Sequence, residues 1–122
     1  FQENLKRASL DDYVHPIIAS SEEAVQTWTK PIRLLFIDGD HTYEGVRADF
    51  MNFYPFVRTG GYIAFHDILD TPWHRQVGCN VKPLWDELKM QFEFWEFVDN
   101  NEYQCFGSPN PSKSMGIGVI KK

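Results

Sequence analysis

Two apolar runs, each ending in acid and imidazole, organise the pattern of hydrophobic and polar positions along the chain. Leu34-Leu35-Phe36-Ile37 passes without alternation into Asp38-Gly39-Asp40-His41. A short unbroken apolar run predicts a strand buried on both faces, as in a parallel sheet. The second run, Tyr62-Ile63-Ala64-Phe65, follows Gly60-Gly61 and ends in His66-Asp67. Ligands of open α/β sheets bind just outside the carboxyl ends of the strands. Two such strands lying side by side would bring Asp38, Asp40, His41, His66 and Asp67 into one polar pocket.

The remaining elements follow in order. Residues 1–10, FQENLKRASL, read as the end of a helix, and Tyr13 to Ala19 as a short strand weakened by Pro16, which cannot donate to a ladder. Ser20-Ser21-Glu22-Glu23 has the capping-box spacing, so a short helix should start there and stop at Lys30-Pro31. From Thr42 to about Tyr54 the apolar residues Tyr43, Val46, Phe50 and Phe53 recur at offsets of three and four, the signature of an amphipathic helix, which Pro55 then ends. Ile68 to Cys79 reads as a loop carrying Trp73, His74 and Arg75. A helix capped by Asn80 should bury Val81, Leu84, Trp85 and Leu88, with Pro83 tolerated in its first turn. Phe92 to Val98 alternates as a strand, Asp99 to Ser114 reads as a long hairpin or loop, and Met115 to Ile120 as a final strand. Strands alternating with helices imply an α/β fold with a parallel sheet, and the two adjacent closing strands imply one antiparallel edge.

Composition narrows the picture. The chain has 122 residues, which allows one domain, and its 43% hydrophobic and 16% aromatic content describe a globular protein. A net charge of −5 argues against nucleic acid as a partner, since phosphate binding needs a basic face. No apolar run approaches the roughly 18 residues of a membrane span, so no membrane partner is expected. Cys79 and Cys105 stand alone without CxxC spacing, which reads as free structural thiols and a cytoplasmic setting. The first residue is Phe1, not Met, as expected of a fragment or a processed product.

The clustered donors admit several chemistries. Carboxylate oxygens with water suit Mg²⁺, while an imidazole among them shifts the preference toward Mn²⁺, Fe²⁺ or Zn²⁺. Asp38 and Asp67 could instead only cap the turns that follow them. His41, three residues past Asp38, could take a proton from a substrate hydroxyl near neutral pH, or stand exposed at a helix start. Trp73, His74 and Arg75 could line a substrate pocket. No GxGxxG or GxxxxGK[ST] motif and no nucleophile elbow is present in the sequence.

The stretch LLFIDGDHTYEGVRADFMNFYPFVRTGGYIAFHDI resembles the class I S-adenosylmethionine-dependent methyltransferases, within them the branch with an IDGDHxYE segment followed by a GGxIxxHD strand. The likeness extends from Asn4 to about Leu88 and more loosely over the closing strands. It implies a Rossmann-like three-layer sandwich whose mostly parallel sheet has one antiparallel edge strand. On that template Val14–Ile18, Leu34–Asp38, Tyr62–His66, Phe92–Val98 and Met115–Ile120 are the third to seventh strands. The first two strands, with the glycine-rich loop and the ribose-binding acid, are missing, so residues 1–122 read as one partial domain, the C-terminal part of the fold.

The resemblance also implies site residues. Asp38, His66 and Asp67 would hold a divalent cation (Mg²⁺ or Mn²⁺), with His66 where many relatives carry a carboxylate. His41 would be the catalytic base. Ser20 would contact the adenine of S-adenosylmethionine, and Asp38, Gly39 and Asp40 would lie near its methionine end. The expected reaction is methyl transfer to the oxygen of a small hydroxylated acceptor, with little activity in the 122 residues alone. Two other readings remain: a metal-dependent glycosyltransferase using Asp38-Gly39-Asp40, and a non-catalytic half-domain that completes its sheet as a homodimer.

Overall fold

The computed structural model describes residues 1–102, 111 and 116–122. The chain runs α1 (Gln2–Arg7), α2 (Ser21–Gln26), β1 (Ile32–Ile37), α3 (Tyr43–Phe53), a 3₁₀ turn (Tyr54–Phe56), β2 (Val57–His66), α4 (Pro72–Gln76), α5 (Lys82–Leu88), β3 (Glu93–Val98) and β4 (Gly116–Lys121). The strands form one sheet in the order β1-β2-β4-β3. β1 and β2 are parallel, joined across α3, and β4 is antiparallel to both β2 and β3. The mixed α/β sheet is the expected one. Its reversed strand, however, lies inside the sheet, and β3 forms the edge.

Local signals set the helix starts. Ser20 accepts from the Glu23 amide at 3.2 Å while the Glu23 carboxylate accepts from the Ser20 amide at 3.0 Å, closing the capping box of α2. Thr42 caps α3 by accepting from the Gly45 amide at 3.0 Å. α3 and α5 then bury their apolar stripes on one face of the sheet. Val46 and Phe50 of α3 and Leu84, Trp85 and Leu88 of α5 enclose Ile37, Ile63, Phe65 and Ile120. The Phe65 ring lies 5.8 Å from Phe50 and 6.0 Å from Trp85. Gly118 is required opposite Trp85, because a Cβ there would come within 2.7 Å of the indole.

The opposite face carries Leu34 and Phe36 of β1, Tyr62 of β2, and Trp95 and Phe97 of β3, all exposed, Leu34 by 63%. Among the described residues no helix covers it, so the third layer implied by the resemblance has no counterpart over this face. Residues 13–19 form no strand, and Ile18 is 97% exposed. A strand exists only through a ladder with a neighbour; Pro16 removes a donor, and the segment stands off β1 across a cleft.

Three further boundaries differ from the sequence reading. β2 begins at Val57 and includes Gly60-Gly61, because the Gly60 amide donates to Lys122 O and the Lys122 amide to Gly61 O, extending the pairing. The segment after Asp67 contains the short helix α4, capped by Thr71. Asn80 does not cap α5; its amide donates to His41 O at 2.7 Å, and Val81 takes the cap position. Cys105, Met115 and most of the Asp99–Ser114 segment lie outside the described residues. Among the described residues no helix is long and apolar enough to cross a membrane.

Candidate functional site

The parallel pairing of β1 with β2 sets Ile37 beside Phe65, so the residues that follow each strand emerge together. Asp38 Oδ1 lies 3.1 Å from His41 Nε2 and 3.4 Å from His66 Nδ1. His66 Nδ1 lies 3.1 Å from Asp67 Oδ1, and His41 Nε2 lies 3.8 Å from Asp67 Oδ2. Four of the residues singled out in the sequence thus form one cluster at the carboxyl end of the sheet. The His41 and His66 rings stand 6.2 Å apart, with the Asp38 carboxylate within reach of both.

Asp67 is the buried member. Its backbone has φ 58°, a left-handed conformation that asparagine and aspartate tolerate better than most residues. Burial pushes the Asp67 carboxyl up, but the imidazoles around it, His74 ahead of His66 and His41, outweigh burial and hold it below the usual carboxylate range. His66 Nδ1 and Asp67 Oδ1 are both buried without a hydrogen-bond partner. Unpaired buried polar atoms are costly, and two that face each other beside a second carboxylate suit a divalent cation. Asp38, His41 and His66 bring one donor atom each within 4.8 Å of one another, a group able to hold an ion, and Asp67 adjoins it through His66.

A cleft of about 570 Å³ opens on the β1 side and is lined by Ser20, Asp38 and Gly39, with Ala19, Phe36 and Asp49 among its other walls. Its size suits a small amphipathic ligand. Asp40 is not part of that lining. Its Oδ1 accepts from the Thr42 amide at 2.9 Å, so its carboxylate serves the start of α3. The cluster and the cleft meet at Asp38.

The sequence reading set His74 on a loop and gave Cys79 no chemical part. His74 is 0% exposed and its Nε2 lies 3.8 Å from Asp67 Oδ1, while the Cys79 thiol donates to Asp67 O at 3.7 Å. The only sequence signal was the proximity of His74 and Cys79 to Asp67 in the chain.

A family model described as methyltransferase domain matches residues 1–68. An uncharacterized protein of Acanthamoeba polyphaga mimivirus is 41% identical over 75 residues, which is 62% of this chain and 31% of that one. Among solved structures, the O-methyltransferase from Bacillus cereus in complex with SAH superposes with a TM-score of 0.63 at 18% identity, covering 99% of this chain and 56% of that one. The O-methyltransferase TomG from Streptomyces achromogenes, solved with SAM, gives 0.61 at 13% identity, covering 98% and 55%. The C-terminal domain of precorrin-6Y C5,15-methyltransferase from Rhodobacter capsulatus gives 0.60 at 13%, covering 98% and 58%. At these identities the structures establish the fold, which is shared by enzymes named for different acceptors. The chain spans about a third of the curated relative and little more than half of the solved ones. With more than half of its residues matched by the family model and a sheet that superposes on these enzymes, the chain belongs to the methyltransferase domain family, within the class I S-adenosylmethionine-dependent methyltransferases.

Proposed function

We propose that this chain supplies the carboxyl-end half of an active site for methyl transfer from S-adenosylmethionine to the oxygen of a small hydroxylated acceptor, assisted by a divalent cation. The observation that carries the reading is the convergence of Asp38, His41, His66 and Asp67 within 3.1–3.8 Å at the ends of two parallel strands. Asp38, His66 and Asp67 would hold the cation, which when bound supplies positive charge that lowers the pKa of an acceptor hydroxyl.

The chain's own groups do the rest. With the proton on Nε2, His41 donates to Asp38 Oδ1, and its Nδ1 is left as the basic nitrogen that receives the acceptor proton. Asp38 fixes the ring and stabilises the imidazolium that forms. Ser20, Asp38 and Gly39 shape the cleft in which the methyl donor would lie, so donor and proton acceptor meet at Asp38. Sequence outside these residues supplies the remaining cofactor contacts and the acceptor pocket in this reading.

The test uses the full-length protein. S-adenosylhomocysteine should raise its melting temperature by mass action, and Mn²⁺ should bind with an affinity that falls at least about tenfold in His66→Ala. Stabilisation by a nucleoside diphosphate, with none by S-adenosylhomocysteine, would replace methyl transfer with the glycosyltransferase reading. Unchanged Mn²⁺ binding in both His66→Ala and Asp38→Asn would remove the cation.

A further inference from the structure

Behind the cluster just described lies a second group of donors, formed by Asp67, His74 and Cys79, whose ligating atoms all lie within 4.8 Å of one another. We propose that this group binds a second divalent ion of the Zn²⁺ class, held by Asp67, His74 Nε2 and Cys79 Sγ, and that the ion pins the segment after β2 beneath the active site.

Two buried atoms point to it. His74 is fully buried, and its Nε2 has no hydrogen-bond partner; Asp67 Oδ1, buried and likewise without one, lies between the two imidazoles, 3.1 Å from His66 Nδ1 and 3.8 Å from His74 Nε2. The 3.8 Å separation is too long for a hydrogen bond. It is close to the spacing of two ligands on one tetrahedral ion, because metal–ligand bonds of about 2.0–2.3 Å place neighbouring ligands roughly 3.3–3.7 Å apart. A small inward shift would complete the coordination.

The surroundings fit as well. Thr71 Oγ1 lies 2.7 Å from His74 Nδ1, the kind of outer partner that fixes the ring of a metal-bound imidazole. α4 carries His74, and Gly78, at φ 77°, reverses the chain so that the Cys79 amide can donate to His74 O at 2.8 Å. That turn places the thiol beside Asp67. Cys79 also lines a cleft of about 310 Å³ with Asp70, Arg75 and Asn80, which gives an ion a way in.

A carboxylate, an imidazole and a thiolate together are a borderline-to-soft donor set that favours Zn²⁺ over Mg²⁺. Three protein ligands leave one tetrahedral position for water. Binding would release the thiol proton, so affinity should rise with pH. Asp67 would then be shared, with one ion on each side of it.

Co²⁺ reports the site, because a thiolate ligand adds a charge-transfer band that carboxylate and imidazole ligands do not. The full-length protein should bind Co²⁺ with that band, and Zn²⁺ should displace it. The band should vanish in Cys79→Ser and persist in Cys105→Ser, and His74→Gln should weaken binding at least about tenfold. Circular dichroism of each variant, matching the parent, separates loss of a ligand from loss of the fold. Absence of the thiolate band in the parent, or its persistence in Cys79→Ser, overturns the proposal and leaves Asp67 and His74 as a buried charge pair.

Discussion

Replacing Gly45 with alanine should weaken this protein, against the usual rule for helices. Alanine inside a helix is worth about 1 kcal/mol over glycine, and Gly45 lies in the first turn of α3. A Cβ at that position, however, would stand 2.5 Å from Asp40 Cγ and Oδ2 and 2.6 Å from Asp40 Cβ. Asp40 must move, and its hydrogen bond to the Thr42 amide goes with it. That bond is charge-assisted but exposed, so we assign it about 1.5 kcal/mol, the low end of its class. Displacing Thr42 also loosens its cap on the Gly45 amide, worth about 1 kcal/mol. The net cost should be about 1–2 kcal/mol. In an Asp40→Gly background the obstruction is gone, and the same Gly45→Ala change should stabilise by about 1 kcal/mol. Urea unfolding of the parent, both single variants and the double variant measures this coupling. A stabilising Gly45→Ala in the parent, or equal effects in the two backgrounds, would refute the packing account. His41 lies between Asp40 and Thr42, so the same variant should also disturb the 3.1 Å contact of His41 with Asp38.

Three other outcomes are expected. Gly118→Ala forces a Cβ to 2.7 Å from the Trp85 ring, so stability should fall by about 1–3 kcal/mol in thermal unfolding, with part of the loss relieved by Trp85→Leu. Ser20→Ala removes one half of the α2 capping box and should cost about 1 kcal/mol, read as a lower urea midpoint; it should also alter S-adenosylhomocysteine binding if the cleft it lines is the cofactor cleft. Because the Asp67 carboxyl is held low in the folded state, the stability it contributes is complete above the ordinary carboxylate value and is lost as pH falls through its folded value. The urea midpoint should therefore begin to drop as pH falls below about 5 and go on dropping below the ordinary carboxylate value, and less steeply in Asp67→Asn.

The elements that could be read from the sequence are those whose cause is local. The capping box at Ser20 and Glu23, the three-four periodicity of Tyr43, Val46 and Phe50, and the unbroken run Leu34–Ile37 each carry their signal within a few residues. So does the meeting of Asp38, His41, His66 and Asp67, since two parallel neighbours must present their ends together. What escaped depends on distant partners. Residues 13–19 have strand-like composition and no described neighbour to pair with. Gly60-Gly61 looked like a turn because its ladder partner, Lys122, lies at the other end of the sequence. His74 reads as part of an open loop because its burial, with Asp67 beside its ring, is a tertiary outcome that no periodicity records. Asn80 resembles a cap, but its amide is taken by His41 O, a contact the sequence does not announce.

The position of β4 in the sheet bears on how the chain assembles during synthesis. β3 has its described sheet contact with β4 alone, and one edge of β2 likewise waits for β4. Until residues 116–121 have left the ribosome, Phe94, Trp95 and Phe97 form a strand with nothing to pair with, and Ile63 and Phe65 lack the neighbour that seals them. Growth from the amino end therefore yields β1, α3 and β2 as an early unit, while closure of the core is deferred to the last strand described. Such a chain should be most exposed to chaperone capture and aggregation in the interval between the emergence of β3 and that of β4, and deletion of residues 116–121 should be as harmful as deletion of β3 and β4 together.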